Sequence, residues 1–121
     1  MATETKILTR TVIENYKNSK SQLTTDLIKI YQAPATVKSS IILLCHLANI
    51  DDLNDGQATI AWSDYTDTDF ITHLLVNGNI PARSALNVLH SKLILEPYDA
   101  IYAQANALNR IHLTLSILEI S

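Results

Sequence analysis

Glu96 and Asp99 stand three residues apart in the stretch LILEPYDAIYA (residues 93–103), beside Tyr98 and Tyr102. Two carboxyls at such spacing are the raw material of acid/base catalysis. Glycoside hydrolysis, for example, needs a pair facing one cleft about 5–9.5 Å apart, with one pKa raised by burial. Between them lies Pro97-Tyr98, and proline presets φ at the second position of a turn. Carboxylates at a solvated turn tip have no apolar pocket to separate their pKa values. The pair is therefore read as part of a turn, and no catalytic residue is assigned.

The acids of DDLNDG (51–56) invite a calcium reading. An EF-hand loop wants oxygen ligands at positions 1, 3, 5 and 12 and glycine at 6. With Asp51 first, Leu53 falls at position 3 and Trp62 at position 12, so the pattern fails. An irregular cation site at Asp51, Asp55 and Asp64 is what remains of the idea, against the simpler reading of an acidic surface loop. His46, His73, His90 and His112 are scattered one per expected strand, without the close pairing a zinc site uses. Cys45 is the single cysteine and lies in an apolar run, where a buried, inert thiol is expected. No phosphate loop, dinucleotide fingerprint or nucleophile elbow occurs. Neither metal nor cofactor is assigned. Tyr65 and Trp62 could contact a sugar, although core or edge packing is the commoner fate of such rings.

Composition narrows the classes further. The 121 residues suit one domain, and 47% apolar content is ample for a core. Charged residues make up 17%, below the roughly 25% of an average globular chain. So little surface charge suits a protein partly covered in an assembly. A net charge of −3 argues against a nucleic-acid partner. The charge is also polarised: six basic residues against three acidic ones up to Lys38, then six acids and no Lys or Arg from Asp51 to Asp69. Complementary patches of this kind can fix docking register. The apolar run at Ile41–Leu44 is far too short to cross a bilayer, and MATETKILTR lacks the apolar region of a signal peptide. The expectation is a soluble chain made in a reducing cytoplasm, with no membrane partner.

The elements that must position these residues read as strands. TKILTRTVIEN (5–15) alternates and is β-branched; YKNSKSQLTT (16–25) is polar and turn-like; DLIKIYQ (26–32) is a strand stopped by Pro34. VKSSIILLCHLANI (37–50) is continuous and apolar, as for a strand buried on both faces. QATIAWSD (57–64) is a strand, and FITHLLVNGNI (70–80) holds Asn77-Gly78, a strong two-residue hairpin signal. A helix over Asp67–Val76 is the alternative there, because Thr-x-x-Asp precedes an apolar run. In RIHLTLSILEI (110–120), Ile111, Leu113, Leu115 and Ile117 share one face, and Arg110, His112, Thr114 and Ser116 the other. Eight or so strands with regular turns predict an all-β sandwich or barrel. Two glycines and three prolines are few for so many turns.

Residues 80–120, IPARSALNVLHSKLILEPYDAIYAQANALNRIHLTLSILEI, carry a family pattern. They resemble small tailed-bacteriophage virion proteins whose C-terminal halves run Ile-Pro-Ala-Gly, Ser-Leu-x-x-Leu-x-Gly-Lys-x-x-Leu, Pro-Gly-Asp, and a final Leu-Ser-x-Leu-Glu-Ile. Ile80, Pro81, Ala82, Leu89, Lys92, Leu95, Pro97, Asp99, Ala103, Leu115, Ser116, Leu118 and Glu119 match. IYQAPATVKSSIILLCHLAN is similar to the group's Tyr-x-x-Pro-Ala strand pair. Where the family has glycine, this chain has Arg83, Ser91 and Tyr98. Glycine reaches positive φ freely, and a tyrosine placed there is strained.

The resemblance covers roughly Ile30 to Ser121. It implies an antiparallel β-sandwich of jelly-roll type over residues 26–121, preceded by an N-terminal arm or extra strand over residues 1–25. EPYD would be a tight hairpin between two core strands. The implied role is non-enzymatic, a structural protein of the virion; a small sandwich of low charge suits a decoration or cement protein on the capsid surface. It would bind the major capsid protein or other virion proteins as a homo-oligomer, with a trimer suggested by the threefold sites of shells. A neck, tail or baseplate and fibre-anchoring component is the alternative, and a carbohydrate-binding module the third.

Overall fold

A computed structural model describes residues 14–121. Nine strands run through them: β1 (Glu14–Gln22), β2 (Ile28–Gln32), β3 (Ser39–Asn49), β4 (Gly56–Asp64), β5 (Phe70–Ile80), β6 (Ala85–Asn87), β7 (Leu93–Leu95), β8 (Ala100–Ala105) and β9 (Ile111–Ile120). They form two antiparallel sheets. The first has the order β1–β9–β3–β6, with β7 also on β3; the second has the order β2–β8–β4–β5. The expected all-β sandwich is what the chain forms. The pairings are nested: β1 with β9, β2 with β8, β3 with β6 and β7, and β4 with β5. Successive nested pairs fall in alternate sheets, as if one long antiparallel ribbon had been rolled up. Among the described residues no helix is long and apolar enough to cross a membrane.

Strict alternation builds the core. On β9, Ile111, Leu113, Leu115 and Ile117 are each at most 1% exposed, while the residues between them face outward. Ile42, Cys45 and Leu47 of β3 join them. The facing side of the second sheet is built from smaller residues, with Ala58 opposite Ala105 and Ile60 opposite Ala103. Large side chains from one sheet thus fill space left by alanines on the other, as close packing requires. Each fully buried Leu or Ile contributes about 1.5–3 kcal/mol against chain entropy.

Several local expectations are corrected. Residues 16–22, expected as a polar turn, lie in β1, an edge strand ladder-bonded to β9 along its whole length. None of its side chains from Tyr16 to Gln22 is buried, so backbone pairing rather than burial makes it a strand. The strand expected over residues 5–15 lies outside the described residues except at its end. β3 is buried on one face only: Ser40, Ile42, Cys45, Leu47 and Asn49 point inward, with a bulge at Leu43. Asn77-Gly78 makes no hairpin and sits inside β5 at a bulge, where Val76 and Asn77 oppose the single residue Thr59. Asn77 supplies the left-handed φ of 46°, and its N–H donates to Thr59 Oγ1 at 3.0 Å. Asn-Gly is thus satisfied by a bulge, which needs the same backbone freedom as a turn. The helical alternative over 67–76 reduces to one 3-10 turn at Tyr65–Asp67, capped by the Asp64 carboxylate, before β5 begins.

Candidate functional site

The opening carboxylate pair does not converge on a cleft. Asp99 is 2% exposed, not at a solvated tip, whereas Glu96 is exposed. The two Asp99 oxygens accept from Tyr65 N–H at 3.0 Å and Glu96 N–H at 2.9 Å. Asp99 N–H returns to the Glu96 carbonyl at 3.0 Å, which closes the turn. Tyr98 takes φ of 71°, the conformation a glycine would favour at that position. The expected hairpin is a crossover instead, because β7 belongs to the first sheet and β8 to the second. Asp99 is a turn-locking residue whose acceptor capacity holds two backbone donors.

The acidic loop is equally committed to structure. Asp51 accepts from Leu53 N–H, Asn54 N–H and the Asn54 side chain, and its Oδ2 pairs with Arg110 Nε at 3.4 Å. Those backbone N–H groups hold its carboxyl below the usual range, with the Asn54 amide and Arg110 helping. Asp55 accepts from Ala82 N–H. Asp64 caps the 3-10 turn at the far end of β4, roughly 30 Å away at about 3.3 Å per residue. No group of three His, Cys, Asp or Glu able to hold a metal occurs among the described residues. Three of the histidines lie on strands, His46 on β3, His73 on β5 and His112 on β9; His90 falls in the loop before β7, not in a strand. Cys45 is buried, and desolvation pushes its thiol up to about 12, which makes it unreactive near neutrality. Trp62 packs on the core, so it is no sugar platform; Tyr65 is exposed.

A polar cluster that motif reading missed closes one end of the sandwich. Glu119 continues the inward register of β9 and is 7% exposed. Tyr31 from the opposite sheet donates its hydroxyl to Glu119 Oε2 at 2.5 Å and lies 2.9 Å from Ser40 Oγ. The phenol has one proton, so the Ser40 hydroxyl donates to it. Lys17 of β1 reaches the same Glu119 oxygen at 3.0 Å and lies 5.5 Å above the Tyr31 ring. Burial and the neighbouring carboxylate raise the Tyr31 pKa. The sequence signal was a carboxylate standing in phase with four core aliphatics. The cluster ties β1, β2, β3 and β9 together.

Two surfaces remain. Across the solvent face of the first sheet, Tyr16, Leu118, Ile41 and Ile94 are successive cross-strand partners on β1, β9, β3 and β7. Tyr16 is 66% and Ile94 61% exposed, and Leu43 at the bulge adds to the same end of the sheet. One row further along, Asn18, Ser116 and Leu44 are partners, and beyond them come Lys20, Thr114, His46 and Asn87. The face therefore grades from apolar at one end to polar at the other. The second surface is a groove of about 370 Å³ on the outer side of the second sheet, walled by Tyr65, Tyr98 and Tyr102.

No protein-family model matches the chain, and no curated protein matches it. Solved structures do. A chain from Bacillus endospore appendages, described as a novel family of disulfide-linked pili, has a TM-score of 0.52 at 11% identity, with 95% of this chain and 97% of that one covered. A chain of the T13 viral particle of IBDV has a TM-score of 0.50 at 7% identity, with 88% of this chain covered. The match spans 30% of that viral chain, so this protein corresponds to about a third of it. At such identities the likeness is one of fold: a two-sheet sandwich that occurs as a whole pilus chain and as one part of a virus-particle chain.

Proposed function

We propose that this chain is a non-enzymatic structural subunit of a tailed-bacteriophage virion, a decoration or cement protein seated on the outer shell. The nested pairing, alternating between sheets, is read as a jelly roll. The observation that carries the proposal is the apolar row Tyr16–Leu118–Ile41–Ile94, which runs the width of the first sheet on its solvent face. Isolated exposed aliphatics are ordinary, but a contiguous apolar row across a solvent face marks a contact surface. Its occupant in this reading is the major capsid protein. A modest contact of this kind suffices when repeated over symmetric copies and reinforced by subunit association, here as trimers. In this reading the N-terminal segment, basic at Lys6 and Arg10, serves as the arm that reaches a neighbouring subunit or the shell.

Phage particles assembled with the Ile94→Asp variant test this. The expected result is loss of the subunit from purified particles while its circular dichroism and melting are retained. Full retention on particles would overturn the docking face. Removing residues 1–13, which leaves β1 and Lys17 in place, is expected to weaken particle binding or subunit association; no change would remove the arm. A copy number in the hundreds supports decoration, whereas a small multiple of three or six moves the protein to the neck, tail or baseplate.

A further inference from the structure

The groove on the second sheet has the makings of a ligand site independent of the docking face. Its floor is low because Ser63 of β4 and Ala100 of β8 are cross-strand partners, and neither side chain rises above the sheet. Tyr102, two residues along β8 on the same face, borders it, and Tyr65 and Tyr98 wall one end. The last two rings stand 4.8 Å apart, tilted by 41°, and remain 49% and 43% exposed. Tyr98 is held there at φ 71°, and Asp69, on the groove's rim, at φ 57°. Backbone in this region is costly for side chains with a Cβ and gathers at ligand clamps. A glycine at 98 would make the turn more easily, yet it would delete the wall.

The polar groups are hydrogen-bonded to one another and to the backbone. Lys29 Nζ donates to Gln32 Oε1 at 3.2 Å, and Gln32 Nε2 donates to the Tyr98 carbonyl at 3.1 Å. Ser63 Oγ lies 3.4 Å from Asp69 Oδ1. The groove thus sets one cation and one carboxylate on opposite partners around aromatic rings, with no excess of either charge. Its volume is near the small end of ligand pockets, about 300–1,000 Å³, and admits one or two sugar rings. Aromatic faces carry partial negative charge that attracts the C–H face of a pyranose, and the amide, hydroxyl and ionic groups at the rim suit its hydroxyls.

We propose that the groove walled by Tyr65, Tyr98 and Tyr102 binds a neutral saccharide, stacking one ring on Tyr98 and Tyr65. The full chain would be screened on an array of neutral hexose and N-acetylhexosamine oligosaccharides, with oligogalacturonate and sialylated glycans as charged controls. Hits would be measured by titration. Binding to a neutral glycan is expected, weakened about tenfold or more by Tyr98→Gly and by Tyr65→Ala. Tyr98→Gly retains the turn, so melting of that variant shows that the fold has survived. Binding to no glycan, preference for the charged controls, or binding unaffected in the Tyr65→Ala/Tyr98→Gly double variant would each overturn the assignment. Loss of a protein partner on Tyr98→Gly, with no glycan bound, would make the groove a protein contact instead.

Discussion

The Tyr31 hydroxyl and the Glu119 carboxylate meet at 2.5 Å between the sheets, one from the edge strand of the second sheet and the other from an interior strand of the first. A hydrogen bond to a charged partner contributes about 1.5–3 kcal/mol, and a buried group left without its partner costs about 1–3 kcal/mol. In urea unfolding, Tyr31→Phe and Glu119→Gln should each destabilise by about 1–2 kcal/mol. The double variant should cost clearly less than their sum, giving a coupling of about 1 kcal/mol. Additive losses would mean that the two side chains stabilise the sandwich separately.

That bridge was legible only in part. Glu119 stands in phase with Ile111, Leu113, Leu115 and Ile117, so its inward direction follows from the alternation of β9. Its partner Tyr31 is 88 residues away, and no local pattern names it. β9 itself was readable because its inward face is aliphatic from Ile111 to Ile117 while His112, Thr114 and Ser116 alternate outward. β1 was not, because a strand held by ladder bonds and polar side-chain contacts carries no apolar signature. The run around Ile41–Leu44 suggested burial on two faces, where in fact its outer residues form a solvent-facing apolar surface. Sequence hydrophobicity reports contact with something apolar and does not say whether that lies within the same chain. The tyrosine groove was hidden for another reason: it needs Ser63 and Ala100 side by side from distant strands.

The positions where glycine was expected give a graded test. Arg83 has φ of 58° in the turn closed by the Ser84 N–H to Pro81 carbonyl bond, and its side chain is exposed. Ser91 is not among the described residues with positive φ. Left-handed strain costs about 1–3 kcal/mol, of which glycine's greater freedom in the unfolded chain takes back about 0.4–1 kcal/mol. Arg83→Gly should therefore stabilise by about 0.5–1 kcal/mol, while Ser91→Gly should be neutral or destabilising. Thermal melts of the two variants check this. Equal shifts would show that the backbone conformation is not what separates these sites.

Gly78 is required for space rather than for its φ. A Cβ built there would lie 2.5–2.8 Å from the Leu75 side-chain carbons, across the bulge opposite Thr59. Leu75 packs against the core, so it cannot swing away without opening a gap. Gly78→Ala should cost about 1–3 kcal/mol by overpacking. Gly78→Ala combined with Leu75→Ala relieves the clash, so the pair should lose less than the two separate costs added together. Denaturant midpoints of the three variants measure it.

Alkaline stability follows from two buried groups that hold their protons in the folded state. The Cys45 thiol is pushed up to about 12 from an ordinary value of 9.0, and burial with the Glu119 carboxylate raises Tyr31 above its ordinary 10.0. Well below pH 9 neither group titrates in either state, so their stabilisation is fully present. Above that, the unfolded chain releases the thiol proton, and above pH 10 the phenol proton, while the folded chain keeps both. Each group then removes up to about 1.4 kcal/mol of stability per pH unit until its folded pKa is reached. Unfolding free energy should fall from about pH 9 and more steeply from pH 10. Cys45→Ala should remove the first part of the slope and Tyr31→Phe the added part, whatever either does to stability at neutral pH. If Tyr31→Phe left the slope above pH 10 unchanged, the phenol would already be ionising in the folded protein, and the close contact with Glu119 would have to open to let it.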